Sequence, residues 1–106
     1  MRQALPSGLW EGHYEQWGSN HPQKMTLEFA DGIIEGDGVD GIGSFLIEGE
    51  YRVDRNEVRA GWIKTYKGRH SVLYLGTLQK GRIVGQWELT GFNGDFALHH
   101  VRSEIP

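Results

Sequence analysis

The chain has 106 residues, 38% hydrophobic and 24% charged, a composition that fits one folded domain and excludes a disordered or fibrous chain. A net charge of −3, a pI near 5.9 and scattered lysines and arginines exclude the basic footprint of a nucleic-acid-binding protein, and the absence of cysteine excludes a disulfide framework and a thiolate zinc site. No run reaches the length of a membrane-spanning helix and "MRQALPSG" lacks the apolar stretch of a signal peptide, so the expectation is a cytoplasmic protein with neither a membrane nor a nucleic-acid partner.

Residues 1–7 read as an N-terminal arm. Residues 9–16 then alternate, with Trp10, Gly12, Tyr14 and Gln16 on one face. The polar stretch "WGSNHPQ" reads as a loop. Residues 24–30 place Met25, Leu27 and Phe29 in phase. Asp31-Gly32 is a strong hairpin signal, followed by a short run over 33–38. Further runs occupy 44–53 (Phe45, Ile47, Gly49 and Tyr51 in phase), 57–66 (Val58, Ala60, Trp62, Lys64) and 70–79. The last two cover 82–89 (Ile83, Gly85, Trp87, Leu89) and 95–102 (Phe96, Leu98, His100), with a tail at 103–106.

About eight short runs with period 2, joined by short turns and with no helical periodicity, predict an all-β domain. Short connections make neighbours in sequence antiparallel neighbours in space, and closure removes the two edges such a meander would expose. The predicted fold is a single antiparallel up-and-down β-barrel of about eight strands, with Trp10, Met25, Leu27, Phe29, Phe45, Trp62, Trp87 and Phe96 inside. Gly12, Gly49 and Gly85 each lie two residues before an aromatic on the same face. In a narrow barrel they would leave room for rings from other strands or let the strands coil sharply.

"GLWEGHY" at 8–14 resembles the Gly-x-Trp signature that opens the first strand of calycin-type barrels: lipocalins, fatty-acid-binding proteins and avidins. "GQWEL" followed by "GDF" is similar to avidins. The resemblance covers a few residues and implies a closed barrel that takes a small apolar molecule. The chain lacks lipocalin cysteines, and no avidin biotin-site set maps onto it. The same opening resembles the nitrobindin-like haem barrels, with Tyr14 in place of their last glycine. That likeness implies His99 or His100 as a haem ligand, in a chain much shorter than theirs.

Lys64 falls in phase with inward apolar residues, and a buried lysine needs a partner. A pocket with an apolar wall and a few placed polar groups is expected from Tyr14, Tyr51, Trp62, Lys64 and His100. Ile63, Val72, Tyr74, Val84 and Val101, opposite in phase to the inward aromatics of their regions, predict an outer apolar face for a homodimer. "EGDGVDGIG" at 35–43 carries Glu35, Asp37 and Asp40 but lacks the calcium-loop spacing, so it reads as a turn. His99 and His100 are adjacent and face opposite sides of a strand, so the pair does not ligate one metal. No nucleophile elbow or phosphate-binding loop is present, and Glu11, Glu15, Glu28, Glu48 and Glu50 read as outward positions. The expected function is non-enzymatic binding of a small apolar or amphipathic molecule inside the barrel, without catalytic residue, metal or cofactor. The alternative is an assembly module whose barrel its own aromatics fill.

Overall fold

A computed structural model describes residues 5–101. Four connections in it are two-residue turns ending in glycine: Trp17-Gly18, Asp31-Gly32, Lys80-Gly81 and Thr90-Gly91, each with both residues at positive φ. That mirror-image turn matches the right-handed twist of its flanking strands and sets their register. The strands are β1 (Gly8–Gln16), β2 (Ser19–Ala30), β3 (Ile33–Asp40), β4 (Ser44–Val53), β5 (Val58–Tyr66), β6 (Ser71–Gln79), β7 (Arg82–Leu89) and β8 (Phe92–His100). Each pairs antiparallel with the next, and β1 pairs with β8, so the sheet is a closed eight-stranded barrel.

Two expected boundaries shift by about three residues or more, and others, such as the end of β3 at Asp40, by one or two. The stretch taken as a loop after Gln16 is strand from Ser19 onward, because Trp17-Gly18 alone makes the turn. Ser19–Pro22 pairs with β1 but not with β3, so Pro22 is tolerated there as on an edge strand. Likewise β8 begins at Phe92 after Thr90-Gly91. Residues 1–4 of the expected arm and 102–106, which include Arg102 and the tail, lie outside the described residues.

All eight aromatic and aliphatic residues expected inside are buried there. Gly12, Gly49 and Gly85 serve the wall rather than making room for rings. A Cβ at each would stand 1.9 Å from Ala97 O, 2.0 Å from Gly61 O and 1.9 Å from Leu75 O, so glycine permits the neighbouring strand to come this close.

Val72 and Tyr74 correct the expected outer face. They are 7% and 2% exposed and belong to the core, so they cannot form an outer interface. β6 is apolar on both faces, and its phase is set by the ladder: Tyr74 pairs with the inward Trp62 and Trp87. Ile63 and Leu75 remain exposed, while Val84 and Val101 are half-buried.

The two ends of the barrel differ. Strand direction alternates, so the last residues of odd strands and the first of even strands share one end, the mouth. At the opposite end the segment before β1 acts as a plug. Leu5 is buried, Trp10 Nε1 donates to Pro6 O (3.0 Å), Phe29 N donates to Ser7 Oγ (3.0 Å) and His100 Nε2 donates to Ser7 O (3.2 Å). Among the described residues no helix is long and apolar enough to cross a membrane.

Candidate functional site

Near the mouth, one charge pair is sealed inside the barrel. Lys64, inward and two residues before the end of β5, places Nζ 2.6 Å from Asp40 Oδ2, and both side chains are fully enclosed. An ammonium has three protons, and this one finds three acceptors: Asp40 Oδ2, Gln23 Oε1 at 2.8 Å and Tyr74 OH at 3.3 Å. Four rings surround it, with centroids at 4.3 Å (Phe45), 4.8 Å (Tyr14), 5.2 Å (Tyr66) and 5.3 Å (Tyr74). A desolvated cation gains from such faces.

Asp40 ends β3 and divides its carboxylate between two tasks. Oδ2 accepts from Lys64 and from Tyr66 OH (2.5 Å). Oδ1 accepts from the backbone of the β3–β4 turn, Ile42 N at 2.8 Å and Gly43 N at 3.3 Å. Burial alone would raise its pKa. The hydrogen bonds from Lys64 and Tyr66 and the Lys64 charge outweigh that and hold the carboxyl below the usual range. Burial pushes the Lys64 ammonium down to about 8, against the upward pull of Asp40. Tyr66, Tyr74 and Tyr14 are raised above an ordinary phenol, first by burial and then by Asp40. The site therefore holds one cation and one anion among protonated hydroxyls. With its protons all engaged, Lys64 is a structural cation rather than a free nucleophile.

Above this network lies a mouth cavity of about 40 Å³, lined by Tyr14, Gln16, Ile42, Tyr66, His70, Val72, Tyr74, Trp87 and Leu89. At roughly 10–15 Å³ per water it has room for about three. His21 stacks on Tyr14 (5.2 Å, 23°), His70 leans on Tyr66 (5.1 Å), and Trp87 Nε1 donates to Glu15 O (2.8 Å). On the rim, Trp17 and Phe92 stack at 6.0 Å while remaining 80% and 55% exposed.

Of the five expected pocket residues, the structure brings Tyr14 and Lys64 together here. Trp62 lies one layer deeper, stacked on Tyr74 at 5.6 Å and 10°. Tyr51 and His100 lie at the plugged end, against Phe29 (5.6 Å) and Trp10 (5.5 Å), so the five do not line one pocket. Period 2 reports which face a residue takes, not its height along the barrel. Height was available from strand direction: Tyr51 and His100 lie at or near the ends of even strands, whereas Tyr14 and Lys64 lie near the ends of odd ones.

The same rule points to the members that sequence reasoning missed. Gln23 is polar in the phase of Met25, Leu27 and Phe29, near the start of an even strand. Tyr66 continues the phase of Lys64 at the end of β5. Asp40 was read as part of a plain turn. It does shape that turn, and it also faces inward while Glu35 and Asp37 face outward. His99 is exposed on the outer wall, and among the described residues no group of His, Asp and Glu is placed to hold a metal. No family model matches the chain, and neither do the curated proteins or the solved structures compared with it.

Proposed function

We propose that this protein is a small calycin-type binding barrel that takes a small amphipathic molecule at its mouth, not deep in its interior. The apolar end of the ligand enters the cavity between Tyr66, Trp87 and Leu89, and its flat part lies against the Trp17–Phe92 pair. The observation that carries this reading is the exposed aromatic stack beside the one unplugged end. An exposed tryptophan held by a ring partner is pre-ordered contact surface, and an aromatic-rich concavity is the usual setting of a small-molecule site. The opening Gly8-Leu9-Trp10 on β1, with Trp10 buried over the plug, supports the calycin likeness. The cysteine-free composition fits a cytoplasmic setting.

Titration with an anilinonaphthalene sulfonate dye tests the reading. Saturable quenching of tryptophan emission is expected, weakened about tenfold by Trp17→Ala, which removes a stacking face worth roughly 1 kcal/mol or more. Leu89→Trp, which fills the cavity, should abolish it. No saturable quenching, or quenching indifferent to both variants, overturns the proposal.

A second reading is an assembly module whose filled barrel serves only as a scaffold. It is favoured by the interior, where rings occupy the space below the mouth, and by an outer apolar patch. Ile63 pairs with Leu73, and Leu75 is 51% exposed beside Gly61. In this reading the partner is a second copy. Light scattering should give a dimer that Leu75→Lys splits; a single-chain mass at tens of micromolar, about the upper range of the assay, overturns it.

A further inference from the structure

The β3–β4 turn carries Ile42 between two glycines over the mouth. Unlike the wall glycines, Gly41 and Gly43 are not demanded by crowding, since a Cβ on either meets nothing within 4 Å, although the positive φ of Gly43 (152°) itself favours glycine. Two glycines in succession around one apolar side chain give a short segment with backbone freedom on both sides. Ile42 lines the mouth cavity and is 38% exposed. The turn is tied down at one place: Asp40 N and Gly43 O, Gly43 N and Asp40 O, and the two bonds from Ile42 N and Gly43 N to Asp40 Oδ1. The other oxygen of that carboxylate is held by Lys64 and Tyr66. One rigid, planar group thus joins the turn to the buried cation.

We propose that Gly41–Ile42–Gly43 is a flap over the mouth, latched shut by the Asp40–Lys64 pair and released when Lys64 gives up its proton. While Lys64 is charged, Asp40 is best placed inside, where both oxygens are satisfied. Once Lys64 is neutral, Asp40 is an uncompensated anion in a low-dielectric barrel, and a buried charge without its partner is strongly unfavourable. Asp40 ends its strand beside the opening, so it reaches water by rotating outward. The turn bonded to Oδ1 moves with it and withdraws Ile42 from the cavity.

The other groups facing Lys64 do not supply the switch. Tyr14 from β1, Tyr66 from β5 and Tyr74 from β6 are all raised above an ordinary phenol, first by burial, and Gln23 from β2 and Phe45 from β4 carry no charge. Behind the tyrosines stand His21 and His70, the titratable groups that require a control. The depressed Lys64 value of about 8 places the release within reach of mild alkalinity. As a device for opening the mouth, this inference rests on the mouth being the binding site. The latch itself can be measured with no ligand present, so its failure is separate from a failure to bind.

The experiment follows the Ile42 methyl groups by NMR on the full chain, since methyls remain observable at alkaline pH. Near neutral pH the methyls should be ordered and should show cross-relaxation with the mouth rings. Between about pH 7 and about 9.5 that cross-relaxation should fall and the methyl order parameter should drop, on the scale that separates rigid from flexible segments. Core methyls such as those of Ile34 and Ile47 should not change. Asp40→Asn keeps an oxygen for Ile42 N but strands no charge, so its flap should be independent of pH. His21→Asn and His70→Asn should behave as the wild type. An Ile42 signal that is constant over this range in the wild type overturns the proposal. So does a loss that persists in Asp40→Asn or disappears in either histidine variant. The wild-type titration alone decides the matter if Asp40→Asn does not fold.

Discussion

Lys64 and Asp40, 24 positions apart in the chain, meet at 2.6 Å inside the barrel with neither side chain open to solvent. Their pairing follows from topology: β3 and β5 both end at the mouth, and both residues fall on the inward phase. The pair costs desolvation of two charges, which its hydrogen bonds and four ring faces offset in part, leaving the Lys64 ammonium depressed.

That balance makes the two single removals unequal to the double one. Lys64→Met should destabilise, because Asp40, Gln23 and Tyr74 lose the donor they share, but by less than the about 3–5 kcal/mol of a trapped charge, since Asp40 at the mouth turns outward to water. Lys64→Met with Asp40→Asn should cost clearly less than the sum of the single changes, with an interaction energy of about 1–3 kcal/mol. Urea denaturation of the four proteins closes this cycle; strict additivity would mean the two groups do not act as a pair.

Stability should peak unusually far into the alkaline range. Lys64 is depressed from 10.5 to about 8, so between these values the unfolded chain binds the extra proton and stability rises with pH, by about 1–3 kcal/mol. Tyr66 and Tyr74 are raised above 10.0, so their contribution is complete below 10.0 and is lost as pH climbs past it. Asp40 is depressed below 3.8, so its contribution is present above 3.8 and is lost as acid protonates it. Urea midpoints taken across the pH range should climb from neutrality to about pH 10 and then fall. Lys64→Met should remove the climb and keep the fall.

Glycines of the wall and of the flap should respond oppositely to alanine. Gly85→Ala drives a methyl into Leu75 O, where a Cβ would stand 1.9 Å away, and should cost about 3 kcal/mol or more. Gly41→Ala meets nothing within 4 Å and should be neutral or stabilising by up to about 1 kcal/mol through the unfolded chain. Thermal melts on the same day and buffer decide it; equal losses would refute the close approach of β6 and β7.

Trp62 carries a buried indole N–H with no hydrogen-bond partner, in the middle of the ring stack formed with Tyr74 and Phe96. Trp62→Phe loses volume but also removes an unsatisfied donor that costs about 1–3 kcal/mol. The net change should stay within about 1–2 kcal/mol, whereas Trp62→Ala should cost about 3–5 kcal/mol. A Phe variant as damaged as the Ala variant would show that the N–H is satisfied.

Alternation and turn residues were enough to specify a closed eight-stranded meander and the inward set from Trp10 to Phe96, because side-chain period and turn chemistry are local properties of the backbone. β6 escaped that logic: Val72, Leu73, Tyr74 and Leu75 are apolar on both phases, and only pairing with β5 and β7 decides which of them turns inward. The same holds for the site. Lys64 announced itself as a charge in an apolar phase, yet the partners it bonds, Asp40, Gln23 and Tyr74, come from three other strands, and a periodic pattern carries no information on height. Strand tilt and closure, which are properties of the whole sheet, bring those heights together. Strand direction alone separates Tyr51 and His100, at the plugged end, from the lysine whose phase they share.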